Sequence, residues 1–329
     1  MFLIGHEWAL ECLYRQWQAG KLRRSHLFLG PRRVGKTTLA LAFAMRLQCE
    51  RPEGPWPCGE CRACRRIRAR SHPDAIVIEP AGSTFTVEQV RDLERELPLS
   101  PLESELKVRI LADFDLASRE AQNALLKTLE EPPGHALLVL TAANCESLAP
   151  TISSRCQVWR LRPVPAESIR SALVAQGVGQ QEAQVLSQEA LGCPGYALAA
   201  AAQPQVRKAR AEAFQLAEQL LGQRRYERFA SLGPLARRPR QEVLSVLLLW
   251  QLWWRTRLLE LAQGTQPEGG GLTLRQAARF LRDLQQAELA LMRNANVRLV
   301  LDLLAVRMPI LPKGSAASAS TKDTLRAGN

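Results

Sequence analysis

Apolar positions follow two different patterns along the first 160 residues. Short, largely apolar runs predict strands, and apolar positions three and four residues apart predict helices. The predicted strands are residues 25–29, 75–78, 107–112, 136–141 and 157–161. The predicted helices are residues 7–19, with a stripe of Trp8, Cys12 and Leu13, and residues 37–48, 86–97 and 118–130. This alternation predicts an α/β fold with a parallel sheet and helices on both faces.

Beyond residue 163 the strand pattern ends, and the chain predicts helices only. Predicted breaks between these helices are residues 177–179, 192–195, 203–204, 233–234 and 264–271. The change of pattern near residue 163 predicts a domain boundary. The predicted organisation is a sheet domain (1–162) with an irregular insertion (49–72), a helical segment (163–203), a second helical domain (204–311) and a disordered tail (312–329).

A glycine-rich turn joins the first predicted strand to the helix after it. Its sequence matches the G-x-x-x-x-G-K-[ST] phosphate-binding pattern, in which backbone N–H groups surround phosphate oxygens. Lys36 is expected to reach the terminal phosphates of a nucleotide, and the Thr37 hydroxyl to hold Mg²⁺. The predicted nucleotide-binding residues are Gly30, Gly35, Lys36, Thr37 and Thr38, with ATP or ADP as candidate ligand. A turn without a ligand is the alternative.

Charge and hydropathy limit the class of protein. The net charge of +12, mostly from Arg, favours a polyanionic partner. The N-terminus lacks the pattern of a signal peptide, and the most apolar run, residues 243–254, is too short to span a bilayer. A cytoplasmic protein is therefore expected.

Three cysteines follow one another at C-x-x-C spacing: Cys58, Cys61 and Cys64. Cys49, upstream, can supply a fourth thiolate, and four sulfurs without a water ligand predict a closed structural zinc site. Zinc would fold a segment that is too short for a core of its own. His72 as a substitute ligand, an iron–sulfur centre and four reduced thiols remain alternatives. Arginines at positions 62, 65, 66, 68 and 70 make the segment basic, for contact with DNA phosphates or with solvent.

The phosphate loop, the Cys₄ insertion after its helix and a later Ser154-Arg155-Cys156 together resemble the clamp-loader subunits of bacterial DNA polymerase III, which belong to the AAA+ family. The stretch NALLKTLEEPP, residues 123–133, is specific to that group, and His72-Pro73-Asp74 is similar to its delta-prime branch. The resemblance implies an AAA+ domain, a helical lid and an oligomerising collar. The implied partners are the gamma/tau and delta subunits and, through the complex, the sliding clamp and primed DNA.

The same resemblance shows departures from an active ATPase. The position that supports Mg²⁺ in the family is Ala112, and the position that activates water is Asp113, one methylene shorter than the usual Glu. In-line attack on a γ-phosphate depends on positioning, so the shorter side chain matters.

Two nucleotide-sensing positions depart as well. The first sensor falls near residues 142–143, where Thr141 and Asn144 flank it without matching the family pattern. The second sensor, an Arg in the family's lid, is Gly195 here. The loss of several electrostatic stabilisers predicts that hydrolysis by this chain is absent or very slow.

Arg155 remains as the one predicted catalytic residue. The resemblance implies that the arginine of Ser-Arg-Cys reaches the nucleotide of an adjacent subunit and acts in trans as an arginine finger. Two alternatives stay open: a slow ATPase similar to gamma/tau, favoured by the phosphate loop, and a zinc-dependent DNA-binding protein outside replication, favoured by the charge and the cysteines.

Overall fold

The computed structural model describes residues 3–51, 57–82, 84–143, 145–264, 271–292 and 294–310. They form two compact units that divide between Ala202 and Gln203. The assignment of these units to a sheet domain, a lid and a collar stays a prediction. The predicted tail and Asn144 lie outside the described residues.

A five-stranded parallel sheet forms the centre of the first unit. Its strands are β1 (Ser25–Leu29), β2 (Ala75–Ile78), β3 (Lys107–Leu111), β4 (Ala136–Ala142) and β5 (Gln157–Arg160). The spatial order is β2-β3-β4-β1-β5, so β2 and β5 are the edge strands. All five predicted strands are present, and the predicted α/β fold class with a parallel sheet is confirmed.

Nine helices accompany the sheet within the described part of the first unit. They are α1 (Glu7–Gln18), α2 (Lys36–Leu47), α3 (Arg62–Arg68), α4 (Val87–Glu96), α5 (Arg119–Glu130), α6 (Pro150–Arg155), α7 (Ala166–Ala175), α8 (Gln180–Glu189) and α9 (Pro194–Ala202). Thr86 and Gln89 form the capping box that begins α4, as the sequence predicts.

Alternate residues of the strands point to two apolar cores. Phe28, Ile110 and Val139 pack with α1, α2 and α3 on one face. Leu27 and Leu140 pack with α4, α5 and α6 on the other face. Since successive side chains of a strand point to opposite faces, an all-apolar strand is buried on both.

The second unit contains helices only, within the residues described. They are α10 (Pro204–Gly222), α11 (Arg225–Ala236), α12 (Arg240–Ala262), α13 (Leu274–Met292) and α14 (Val297–Arg307). Its core includes the aromatic residues Trp250, Trp254 and Phe280, and the rings of Trp254 and Phe280 are 4.7 Å apart. None of the described helices combines the length and apolarity that a bilayer crossing requires.

Two local predictions are wrong. In α1 the buried residues are Ala9, Leu10 and Leu13, whereas Trp8 is 51% exposed and Cys12 is exposed. The predicted break at residues 233–234 is also absent, because α11 continues to Ala236. Burial of its leucines on the inner face outweighs the hydrogen bond that the proline removes.

Candidate functional site

The phosphate-binding loop runs from the carboxyl end of β1 into α2, where the sequence predicts it. Gly35, immediately before α2, has a φ of +111°, a conformation that glycine adopts readily. A Cβ on Gly30 would lie 2.5 Å from the carbonyl oxygen of Leu161, so close packing excludes a side chain there. Thr37 and Thr38 lie in the first turn of α2. The five predicted residues therefore share one loop, and nucleotide binding by them stays a prediction.

The Lys36 ammonium is turned toward the backbone of its own loop. Its Nζ donates hydrogen bonds to the carbonyl oxygens of Gly30 at 2.9 Å and Pro31 at 3.0 Å. The side chain is buried, and burial lowers the pKa of Lys36 against the opposing effect of Asp113 and Asp115. The loop thus satisfies its lysine internally.

The acidic side of the loop is occupied by contacts within the chain. Arg32 lies 3.9 Å from the Asp113 carboxylate, and the Asp113 N–H donates to the buried Thr141 hydroxyl at 2.9 Å. Burial raises the pKa of Asp115 against the attraction of Arg32. Ala112, at the position that supports Mg²⁺ in the resemblance, offers only a methyl group. The arrangement lacks a side-chain ligand where the family pattern places one.

Gly195 packs directly on the phosphate loop. Its N–H donates to the carbonyl oxygen of Arg33 at 3.0 Å. A Cβ on Gly195 would lie 3.0 Å from that oxygen and 3.2 Å from the Arg33 Cβ. An arginine at position 195 would therefore require the loop to move, which gives a steric reason for glycine at the second sensor position.

The four predicted cysteine ligands lie together. Every pair of their Sγ atoms is within 4.8 Å, and the Sγ atoms of Cys58 and Cys64 are 3.9 Å apart. A tetrahedral site with Zn–S bonds of about 2.3 Å requires sulfur separations of about 3.8 Å. The donor set therefore fits a four-coordinate metal. A metal site made by Cys49, Cys58, Cys61 and Cys64 is consistent with this geometry, and the identity of the metal stays a prediction.

Backbone N–H groups already point at two of these sulfurs. The Cys61 N–H donates to the Cys58 Sγ, and the Cys64 N–H donates to the Cys61 Sγ, both at 3.4 Å. The first of these bonds lowers the pKa of the Cys58 thiol to about 6, whereas burial raises that of Cys49. Cys61 is also the N-cap of α3, so this short helix and the thiolate cluster form as one structure.

The His72-Pro73-Asp74 motif has a structural role here. The buried Asp74 carboxylate accepts N–H bonds from Leu102, Glu103 and Ser104 at 2.9, 2.7 and 2.9 Å. Burial alone would raise the pKa of Asp74, but the three N–H donors outweigh it and lower the pKa. The His72 ring lies with Asp74 and does not belong to the cysteine cluster.

Arg155 is the last residue of α6, at the outer edge of the sheet. Its Nε donates to the Glu130 carboxylate at 2.6 Å, and its Nη1 donates to the carbonyl oxygen of Thr151 at 3.1 Å. The side chain remains 29% exposed. The guanidinium is therefore oriented before any partner arrives, and part of it faces solvent.

Arg155 and the phosphate loop lie at opposite ends of the sheet. β1 and β5 are parallel neighbours, with His26 opposite Gln157 and Leu29 opposite Arg160. The phosphate loop follows the carboxyl end of β1, whereas Arg155 precedes the amino end of β5. A four-residue strand is about 13 Å long. The topology therefore directs Arg155 away from the chain's own loop.

Two residues that orient this region were missed in the sequence. Glu130 holds the Arg155 guanidinium. Gln122 on α5 donates to the carbonyl oxygen of Ser147 at 3.1 Å and accepts from the N–H of Ala149 at 2.7 Å, which fixes the start of α6. Both lie on α5, near or within the NALLKTLEEPP stretch, so that stretch was the available signal.

Comparison with known proteins gives the family. Residues 5–165 match the protein family described as "DNA polymerase III, delta subunit". A DNA polymerase III subunit delta' of Pseudomonas aeruginosa is 32% identical over 316 residues, which cover 89% of this chain and 94% of that protein. The chain belongs to the DNA polymerase III delta-prime family. This membership confirms the resemblance seen in the motifs.

Two further relatives show how far the similarity extends. A delta' subunit of Bacillus subtilis is 33% identical over 178 residues, 54% of this chain and 54% of that protein. The tau subunit of Escherichia coli is 37% identical over 171 residues, 52% of this chain but only 26% of that protein. The chain thus matches a delta-prime relative almost end to end and a tau relative only in part.

Proposed function

We propose that the chain acts as the delta-prime subunit of a DNA polymerase III clamp loader. It helps load the sliding clamp onto primed DNA in a complex with gamma/tau-type and delta subunits. It does not hydrolyse ATP itself, and Arg155 serves as an arginine finger for the ATP site of a neighbouring subunit.

The observation that carries this proposal is the place of Arg155 in the sheet. The residue stands at the amino end of an edge strand, beyond reach of the phosphate loop at the carboxyl end of β1. An edge strand is free of a neighbour on one side, so a second subunit can approach there. A guanidinium delivered to a γ-phosphate offsets the charge that develops during phosphoryl transfer.

The chain's own loop supports the second half of the proposal. Ala112 has no oxygen for Mg²⁺, Gly195 cannot be replaced by a longer side chain without moving Arg33, and Lys36 is bound to loop carbonyls. Each electrostatic stabiliser of a transition state contributes several kcal/mol, so the absence of several leaves very slow turnover at best. ATP or ADP with Mg²⁺ remains a candidate ligand without a catalytic role.

Zinc is proposed as a structural cofactor of Cys49, Cys58, Cys61 and Cys64. When bound, the ion would join the end of α2 to α3 by four thiolate bonds. Ala63 and Ile67 of α3 pack into the apolar core, and metal binding adds local folding free energy to that packing.

The alternative is a slow ATPase of the gamma/tau type, which the intact phosphate-loop sequence favours. The two functions differ in which ATP site loses activity when Lys36 or Arg155 is changed. In a motor subunit, changing Lys36 would stop hydrolysis by the chain itself. In a subunit that supplies a finger, changing Arg155 slows hydrolysis by its neighbour.

The test uses clamp-loader complexes reconstituted with the unmodified chain or with Arg155→Ala. We expect a lower ATPase rate in the presence of DNA and clamp, with unchanged subunit stoichiometry and zinc content. Arg170→Ala is the matched control, because Arg170 is also ion-paired to a glutamate, Glu167, on an exposed surface. An Arg155→Ala complex that hydrolyses ATP at the unmodified rate would overturn the proposal.

A further inference from the structure

The positive charge of the chain is concentrated in its second unit. Residues 203–329 contain 20 Lys and Arg residues and 10 Asp and Glu residues, which gives +10 of the chain's net +12. The first 202 residues, with the phosphate loop and the basic cysteine insertion, are almost neutral in sum. A polyanionic partner that responds to this charge therefore meets the helical unit most favourably.

Three arginines of α13 form a stripe on one face of that helix. Arg275, Arg279 and Arg282 have the spacing i, i+4, i+7, which places them in line along a helix. All three are exposed. No ion pair or hydrogen bond joins any of these guanidinium groups to another part of the described chain. We call these three residues the arginine stripe.

The position of the stripe is unfavourable for the folded chain alone. Like charges four residues apart on a helix repel each other by a few tenths of a kcal/mol. Arg275 lies in the first turn of α13, which contains no acidic residue, and a cation there opposes the helix dipole. The arrangement therefore carries a small electrostatic cost, which an anionic partner would offset.

Some other arginines of the same unit form ion pairs within the chain. Arg257 pairs with Glu218 and Glu260, and Arg298 pairs with Asp302. These pairs neutralise the surface locally. The stripe differs from these pairs, because three exposed arginines lie in line on one helix without such a partner among the described residues.

The spacing of the stripe fits a nucleic-acid strand. Seven residues of α-helix extend about 10.5 Å, and one strand of a nucleic acid carries a charge about every 3.4 Å along its axis. The stripe therefore spans about three intervals between successive phosphates, and each guanidinium can bind phosphate oxygens as a planar fork. We propose that the arginine stripe of α13 binds the phosphate backbone of a nucleic-acid strand.

A protein partner fits a different face of the same unit. Exposed apolar residues line α14 and its end at the spacing i, i+4, i+7, i+11: Leu299, Leu303, Val306 and Ile310. Subunit contacts generally bury apolar surface at their centre. The arginine stripe instead presents three guanidinium groups, with Leu274 as an exposed apolar residue beside Arg275, so a phosphate backbone suits it better than an apolar protein surface.

The cysteine insertion is the rival basic surface, and most of its charge is engaged. Arg66 pairs with Glu103, Arg70 pairs with Glu79, and Arg68 donates to the carbonyl oxygen of Gly59. Arg62 and Arg65 are exposed. A direct comparison of the two surfaces is therefore part of the test.

The experiment measures binding of the full-length chain to a fluorescein-labelled 20-nucleotide oligo-dT over a range of salt concentrations. We expect Arg275→Gln/Arg279→Gln/Arg282→Gln to weaken binding on the order of tenfold or more, and to reduce the slope of log K against log salt by about two units. The matched control is Arg238→Gln/Arg257→Gln/Arg298→Gln, which removes the same charge from paired positions and should bind nearly as the unmodified chain does. Arg238 lies 4.0 Å from the Glu242 carboxylate. Thermal unfolding checks that each variant is folded.

Three results would overturn the inference. Equal loss in the stripe and control variants would show a general attraction to charge. Loss only in Arg62→Gln/Arg65→Gln would move the contact to the cysteine insertion. Competition by polyglutamate at the same charge concentration as the oligonucleotide would assign the stripe to an acidic protein. A variant with three lysines in the stripe should retain most of the salt dependence. Because the isolated chain is used, the outcome is separable from the role of Arg155.

Discussion

The two ends of the sheet differ in where their charged groups are directed. At the carboxyl end, Lys36 donates to carbonyl oxygens of its own loop, and Arg32 approaches Asp113. At the amino end of the edge strand, Arg155 is held by Glu130 and remains partly exposed. The charged groups at the carboxyl end thus have partners within the chain, whereas the Arg155 guanidinium is oriented by Glu130 and partly faces solvent.

The difference teaches how a phosphate-loop fold can serve a neighbour. Ala112 and Gly195 lie at the carboxyl end, at positions where the resemblance implies catalytic groups, and the strands and helices around them are regular. The scaffold that remains is rigid enough to position Arg155, because Gln122 and Glu130 both connect α6 to the long helix α5.

The largest effect is expected from changes to Arg155, which should lower the ATPase rate of the complex. An arginine finger contributes on the order of 10³–10⁵ in rate at the site it faces in related phosphoryl-transfer systems, and other sites in the complex dilute that loss. Arg155→Lys should fail to restore the full rate lost in Arg155→Ala, because an ammonium cannot reproduce the planar fork. Steady-state ATP hydrolysis by reconstituted complexes measures this. Full activity with lysine would mean that charge alone suffices.

Removal of a metal ligand should leave both the phosphate loop and the Arg155 region of the sheet unchanged. We predict that Cys61→Ser loses one equivalent of zinc while the sheet remains folded, because thiolate ligation couples the metal to local folding only. Metal analysis and far-UV circular dichroism provide the measurement. Cys12→Ser is the control, since Cys12 lies outside the cluster. Zinc retained at the full equivalent in Cys61→Ser would exclude that residue from the ligand set.

A smaller effect is expected where the start of α9 meets the phosphate loop. Gly195→Ala places a methyl group about 3 Å from the Arg33 backbone and should lower the free energy of unfolding by about 1 kcal/mol. Gly134→Ala is the control, because a Cβ there meets no atom within 4 Å. Chemical denaturation of the two variants makes the comparison. Equal stabilities would show that the contact yields without strain.

The strands and the ligand cluster could be predicted because their signals are local. Four cysteines at close spacing, and apolar runs such as residues 136–141, carry their information in neighbouring positions. The glycine turn likewise predicts the phosphate loop from neighbouring positions, and Gly35 there has a φ of +111°, which glycine adopts readily.

Contacts between distant residues could not be predicted. The Arg155–Glu130 pair joins residues 25 positions apart, and the Gly195–Arg33 contact joins residues far more distant in the chain. Lys107 and Arg109 in β3 are another case, because they are buried in a strand read as apolar and satisfied by Glu96. Each of these contacts depends on tertiary packing, which the local pattern of apolar and polar residues does not predict.

We expect the ATPase activity of the assembled complex to depend on Arg155 and not on the chain's own phosphate loop. The most direct measurement is the ATPase rate of reconstituted complexes, stimulated by DNA and clamp, with Lys36→Ala and Arg155→Ala compared side by side. Assembly is verified for both, and the corresponding lysine variant of a hydrolysing partner serves as positive control. We predict a rate close to that of the unmodified complex for Lys36→Ala and a clear loss for Arg155→Ala. Loss of most activity in an intact Lys36→Ala complex, with Arg155→Ala unaffected, would contradict the account.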